Sequence, residues 1–288
     1  MEETNMISIK GVRSNWFFHH RELICEYIKN KYNVDATWKT IARKNYNYTF
    51  SNEEYYLEKC TIFENTDNGM KFILDPHDHS DHGKFMEEIL SKEENIVHII
   101  KSQFDESNYN IKENFTPSMF YPKKLKEYLC IVDDIRNNRP TKRKDGLFFT
   151  GRGWCGRRKT IKKLDNVISS CNKLGYLEFL TEMNSYNVIL SLPGHGNLCH
   201  REFEAFGIGV PVLMKKHKNT LFHPLIPNKH YISVDNDEDL LKIYKKVKKD
   251  LDFLDYISYN AMVWFDETSR LKNSYQCFDC AIKKILFY

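Results

Sequence analysis

The chain has 288 residues, 41% of them hydrophobic and 28% charged, with a formal net charge of +4. That length supports one large domain or two modest ones with cores of their own. The slight positive excess suits anionic small ligands and lies far below the basicity of a dedicated nucleic-acid binder, while no stretch approaches the roughly 20 apolar residues of a membrane span. Glu2, Glu3 and Lys10 interrupt any secretory leader, and the eight scattered cysteines read as reduced thiols, so a cytoplasmic protein is expected.

In chain order, Met6–Ile9 reads as a short strand and Arg21–Lys31 as a helix with Leu23, Ile24, Tyr27 and Ile28 on one side. Arg13 to His20, with Trp16, is either an acceptor-side loop or an amphipathic helix entry. Lys71–Leu74 is a strand ending in Asp75-Pro76. A helix over Phe85–Leu90, a strand over Ile96–Ile100 and a helix over Lys123–Ile135 follow. The polar stretch near residues 135–146 reads as a linker. Beyond it, Leu147–Phe149 is a strand stopped by Gly151-Arg152-Gly153. Ile161, Leu164, Ile168 and Cys171 fall at helical spacing, and Tyr176–Met183 is a helix. Val188 to Met214 then reads as strand, glycine turn, helix and strand. Tyr231–Val234 is a strand, and Asp235 to Asp237 can cap a helix whose face carries Leu240, Tyr244, Val247, Leu251 and Leu254. The last thirty residues are helical in pattern.

Strands alternating with helices predict parallel sheets covered on both faces. The expected fold is therefore α/β, with two Rossmann-like domains whose parallel sheets face across a cleft. The boundaries expected are 1–140 and 141–288, with the final helix able to pack back on the first domain.

Chemistry concentrates in three clusters. After Leu192 the chain turns through Pro193-Gly194-His195-Gly196, and glycines let backbone approach a ligand closely. Amides opening the following helix point at an anion. His200 and Arg201 sit in its first turn and can add charge-assisted bonds. Glu204 shares their face and suits the diol of a ribose. The plainer alternative is a polar helix start whose glycines serve only packing. The second cluster is Gly151-Arg152-Gly153 with Arg157 and Arg158. Cations are disfavoured at a helix N-terminus unless an anion is present, which favours ligand binding over a solvated helix start.

The third cluster, Asp75-Pro76-His77-Asp78-His79-Ser80-Asp81-His82, holds six ionisable side chains in eight residues. It reads as a loop bearing a catalytic base, as a metal site, or as a polar surface loop. For the base the order of preference is Asp78, His79, Asp75. The basic run Lys215 to Lys218 and the single CxxC of Cys277 and Cys280 are weaker signals.

The segment HREFEAFGIGVPVL, His200 to Leu213, resembles the nucleotide-sugar motif of GT-B glycosyltransferases, in which a helix carrying "EA" precedes "G-x-P-V" and a strand. The exostosin-like form is nearest, and the resemblance covers about residues 146–235. It implies that Glu204 holds the donor ribose, and that His195, Gly196, Asn197 and His200 face the diphosphate or sugar. Arg201 takes the motif's arginine position, and Arg152, next to Gly153, then Arg157, would reach the donor phosphates. Retaining GT-B enzymes often carry a glutamate eight positions before the ribose carboxylate. Gly196 stands there, which favours inversion. Cys199 replaces a common serine.

The resulting expectation is an inverting, metal-independent glycosyltransferase with no cofactor. It would move a hexose, or a pentose such as xylose, from a UDP-sugar to a hydroxyl of an oligosaccharide or glycoprotein glycan. No nucleic acid or membrane span is expected. Two other readings stand beside it: a non-catalytic nucleotide or phosphosugar module, and a metal-dependent hydrolase using loop 75–82.

Overall fold

The computed structural model describes residues 6–12, 20–41, 60–76, 83–110, 112–118, 121–150, 157–169, 174–194, 196–270 and 275–287. The chain divides into two compact units. One holds Met1–Met119, Asn219–Phe222 and Tyr275–Tyr288; the other holds Phe120–Lys218 and His223–Ser274.

In chain order the early elements are β1 (Met6–Val12), α1 (Arg21–Tyr32), β2 (Asp35–Ile41), β3 (Thr61–Asn65), β4 (Lys71–Asp75), α2 (Gly83–Lys92), β5 (Ile96–Lys101) and β6 (Phe115–Pro117). Next come α3 (Leu125–Asn137), β7 (Lys144–Phe148), α4 (Arg157–Lys163), β8 (Ile168–Ser169), α5 (Tyr176–Asn184), β9 (Tyr186–Ser191) and α6 (His200–Ile208). The remainder are β10 (Val212–Lys215), β11 (Ile232–Val234), α7 (Leu240–Val247), α8 (Leu251–Thr268) and α9 (Asp279–Phe287).

The first unit carries a sheet in the order β2-β1-β3-β4-β5-β6. β1 pairs with β2 in parallel, and β4, β5 and β6 are mutually parallel. The parallel-rich sheet expected is thus present, and β3 departs from it by running antiparallel to both neighbours. The cause is local. Only a tight turn joins β3 to β4, closed by the bonds of Asn65 N to Met70 O and Gly69 N to Asn65 O, both 2.9 Å. Parallel neighbours need a long crossover, so a short turn must return the chain antiparallel. Helix α9 belongs to this unit. Asp279 at its start accepts from the hydroxyls of Tyr27 and Tyr32, both at 2.6 Å, and its late carbonyl Ile285 O accepts from Asn65 Nδ2 at 2.8 Å. Just before it, Phe278 packs on the stacked rings of Phe63 and Phe72.

In the second unit all pairings are parallel, in the order β11-β10-β9-β7-β8. Its second strand lies on one side of the first, and the third to fifth run off on the other. The order therefore reverses between β7 and β9, the place where doubly wound sheets open a crevice at their carboxyl ends. Val188, Ile189 and Leu190 of β9 are fully buried, as expected of a central parallel strand covered on both faces.

Several boundaries differ from expectation. α3 was expected before a boundary at residue 140, but it packs with the second unit. Tyr128 Oη donates to Glu204 O at 2.7 Å, and Arg136 forks onto Asp266 at 3.0 and 2.9 Å while also bonding Gly207 O. Those tethers place the division near residue 119 and keep the polar stretch 135–146 inside the second unit. The helical spacing through Cys171 ends early, because Ile168 pairs in β8. The long apolar face from Leu240 splits into α7 and α8, and Asp250 caps α8 by accepting from Phe253 N at 3.1 Å. Among the described residues no helix is long and apolar enough to cross a membrane.

Helix α6 ends at Gly209, whose φ of +73° is the left-handed conformation of a helix C-terminus. Two residues earlier Gly207 lies against Tyr128, and a Cβ there would collide with the Tyr128 hydroxyl. Gly207→Ala should therefore lower stability by roughly 1–3 kcal/mol through overpacking, against the ~1 kcal/mol that alanine would gain in an open helix. A urea titration reads this directly, and an unchanged or higher midpoint would show that α3 yields at no cost.

Candidate functional site

The site is built where β9 hands over to α6. After Leu192 the backbone turns on itself, with Gly194 N bonding Gly196 O at 3.0 Å. Arg157, the first residue of α4, braces this turn: its Nε donates to Pro193 O at 2.8 Å and its Nη2 to Leu192 O at 2.7 Å. A Cβ on Gly194 would come within 2.9 Å of that guanidinium, so the glycine is what admits the brace.

Cys199 is the N-cap of α6. Three residues on, Glu202 reaches back so that its carboxylate accepts from Cys199 N at 2.9 Å, the carboxylate half of a capping box. Glu202 also accepts from the Ser191 hydroxyl at the end of β9. Strand end and helix start are thereby locked together, and Glu202 is fully enclosed. The Cys199 thiol is pushed up to about 12, first by burial and then by the Glu202 charge, so it stays protonated as a weak donor.

Three side chains of the first two turns face outward from this lock. His200 Nδ1 lies 2.7 Å from Tyr121 O. A carbonyl only accepts, so Nδ1 carries the proton. Arg201 lays its guanidinium over Phe149, just beyond β7, at 5.5 Å from the ring centre. It thus joins the two loops that flank the strand-order reversal. Its Nη1 is buried and has no hydrogen-bond partner among the described residues.

Glu204 is 4% exposed. Its Oε1 accepts from Tyr176 Oη at 2.9 Å and from Lys123 N at 3.3 Å, and among the described residues no bond reaches Oε2. Burial pushes its carboxyl up to about 7, against the opposing pull of Tyr176, the Lys123 amide and Arg201. A buried carboxylate bonded through one oxygen and a buried guanidinium nitrogen without a partner among the described residues thus stand one helical turn apart. For the guanidinium nitrogen the unmade bond costs about 1–3 kcal/mol or more. An anion with adjacent hydroxyls would satisfy both.

Of the residues expected to bind a nucleotide sugar, Gly196, Asn197, His200, Arg201 and Glu204 lie along this turn and helix start, with Asn197 exposed. Arg157 is near them, but two of its nitrogens are committed to the turn's own carbonyls. Arg152, Gly153 and His195 lie outside the described residues, as do Trp16, Asp78 and His79. Asp75 is described, and its surroundings differ from those of an open acid–base loop. It is fully buried at the end of β4, 3.2 Å from the equally buried Lys101 Nζ on β5. The two strands set these residues directly opposite each other. Enclosed and paired, Asp75 has no face open to a substrate hydroxyl. Cys277 is buried and Cys280 exposed, and both are free thiols. Among the described residues no group of three or more His, Cys, Asp or Glu side chains is placed to hold a metal.

Residues missed from sequence also matter. Glu202 carried a usable signal, its position three after the cap. Tyr176, Tyr121 and Phe149 carried none, because each arrives from a distant element.

No family model and no curated protein matches the chain. Among solved structures it is similar to a sucrose-phosphate synthase from Thermosynechococcus elongatus, at 13% identity and TM-score 0.45, over 73% of this chain and 66% of that one. It is also similar to a glycosyltransferase from Rickettsia africae, at 18% identity and TM-score 0.42, over 96% and 83%. A third is a UDP-N-acetylglucosamine 2-epimerase from Listeria monocytogenes, described as such by resemblance, at 15% identity and TM-score 0.30, over 53% and 41%.

The buried pair in the first unit is testable. Lys101→Met takes the Lys101 charge from the buried Asp75 and should cost about 3–5 kcal/mol, whereas Lys101→Met with Asp75→Leu should recover most of it. Chemical denaturation of both variants decides; a double variant no more stable than the single would mean the pair is not self-contained.

Proposed function

We propose that the second unit binds the nucleoside diphosphate of a sugar nucleotide and that the chain is a glycosyltransferase of GT-B type. The observation that carries this reading is the juxtaposition on α6 of a buried guanidinium nitrogen, which has no partner among the described residues, with a buried carboxylate bonded there through Oε1 alone. Arg201 Nη1 is a cationic donor suited to a phosphate, and Glu204 Oε2 is an acceptor suited to a ribose hydroxyl. Both stand at the carboxyl end of a doubly wound sheet where its strand order reverses, beside a helix N-terminus.

In the proposed reaction an acceptor glycan hydroxyl attacks the anomeric carbon as the bond to the diphosphate breaks. Gly196, in place of a second glutamate, supports inversion. The leaving diphosphate takes its stabilisation from helix amides, Arg201 and His200, with Arg152 as a further cation, so no metal is required. The proton of the attacking hydroxyl passes to a base in loop 77–82, Asp78 ahead of His79. The donor is a UDP-sugar, hexosyl or pentosyl.

Calorimetric titration with UDP tests the donor half. Glu204→Ala should weaken binding by about 10–100-fold, the loss of one hydrogen bond to a charged group. Unchanged affinity would remove the ribose assignment. Asp78→Asn should abolish sugar transfer while UDP still binds. If that variant and His79→Ala both act as the parent does, with no transfer in any of the three, a binding module replaces the enzyme.

A further inference from the structure

The two oxygens of Glu204 are used unequally, and the inequality is built by residues outside α6. Tyr176, the first residue of α5, and the amide of Lys123, just ahead of α3, both donate to Oε1. With two donors on it, Oε1 is the poorer place for a proton, and Oε2 is the oxygen a proton must take. We propose that Tyr176 is a positioning residue of the nucleotide site: by holding Oε1 it reserves Oε2 for a ribose hydroxyl, so the site distinguishes ribose from a dideoxy sugar most strongly while Oε2 is an unprotonated, charged acceptor. This rests on the nucleotide reading above and adds to it a residue and a pH-dependent selectivity.

The electrostatic surroundings agree in direction. On its own helix Glu204 faces Arg201, which favours its charge, and Glu202, which opposes it. From α5 comes Tyr176, and from α3 Tyr128, with Glu127 acting on Tyr176. The Lys124 ammonium lies 5.3 Å from the Tyr176 ring centre and is paired with Glu127 at 2.8 Å. From α8, Asp266 reaches Tyr128, balanced by Arg136 and Arg270. β9 adds the Ser191 hydroxyl on Glu202, and Lys215 at the end of β10 is paired with Asp237 at 2.8 Å.

Burial is the largest influence on Glu204 and raises its carboxyl to about 7; the Tyr176 bond is the first of those holding it down. The sign follows. Below about pH 7 the free protein holds a proton on Glu204, and a ligand that needs the acceptor must displace it. Selectivity for the hydroxyls therefore grows as pH rises towards 7 and is level above it. Removing the Tyr176 hydroxyl removes a bond to the charged form and moves that midpoint upward.

Tyr176→Phe tests this with two readouts. The first is the carboxyl carbon resonance of Glu204 in ligand-free protein, followed by pH. Its midpoint should rise by at least about half a pH unit in the variant. The second is the ratio of UDP affinity to 2′,3′-dideoxy-UDP affinity, in which phosphate protonation cancels. In the parent this ratio should climb to a plateau near neutrality, by up to about tenfold per pH unit. In the variant the same climb should sit at higher pH. A resonance midpoint that does not move overturns the proposal, whether or not UDP binds. A midpoint that moves while the ratio does not follow also overturns it, since Oε2 is then not the ligand's acceptor. If Glu204→Gln leaves both UDP affinity and the ratio as in the parent, the nucleotide reading falls and the proposal falls with it. A uniform loss of affinity at every pH in Tyr176→Phe marks a structural role only and rejects the positioning role.

Discussion

From Glu202 to Ile208 every residue of α6 is buried. The helix packs on α3, α5, α8 and the strands on either side of it, so two carboxylates, Glu202 and Glu204, are largely withdrawn from water. A buried carboxylate must be answered by donors or give up its charge. Glu202 is answered completely, by the Cys199 amide and the Ser191 hydroxyl. Glu204 is answered on one oxygen only. The same enclosure thus yields a structural lock at one position and an open valence at the other. The geometry around them keeps the two roles apart. Phe203 and Phe206 point into Trp264 of α8, Gly207 admits Tyr128, and Gly209 closes the helix against Ser258 and Arg139.

The first unit solves a similar problem differently. Asp75 and Lys101 are both wholly buried, on adjacent parallel strands, and each is the other's counter-charge. Such a pair adds little stability relative to apolar residues of the same size, yet losing one member is costly. His98 on the same strand is also buried. It bonds Thr116 at 2.7 Å and is held neutral down to about 3 by burial and the nearby Lys284 ammonium. Asp75, Lys101 and His98 thus find partners within their own sheet.

Much of this was legible in the chain itself. β1, β4, β5 and β9 announced themselves by apolar runs, and α1, α2 and α5 by period and punctuation. The glycine turn and the first turn of α6 were readable because glycine, cap and charge follow one another without interruption. β2, β3, β6 and β8 were not, being short or half-polar, with pairing decided by partners far away in sequence. Ile168 fits a helix spacing from Ile161 as well as a strand beside β7, and only the neighbour chooses. Asp75 looked like part of a polar loop because the sequence shows Asp-Pro-His but not Lys101 across the ladder. Tyr176 gave no sign at all, since nothing in YLEFL records that its hydroxyl meets a carboxylate from another helix.

The arginines give the sharpest case. Arg157 and Arg201 both open helices near the same turn, and charge alone ranks them as equal phosphate ligands. Their difference lies in what the backbone offers each of them. The strand end before the turn leaves two carbonyls, Leu192 O and Pro193 O, beyond the last ladder bond of β9, and buried carbonyls need donors. Arg157 supplies them and is fixed there. Arg201 is held differently. It rests on the face of Phe149, which holds the guanidinium in place without using Nη1. An aromatic face positions a cation and leaves its donors available, whereas a pair of carbonyls positions it by consuming them. In the proposed site the residue held by the ring is therefore the one that meets the anion, and the residue held by the carbonyls is part of the scaffold that shapes the turn beneath it.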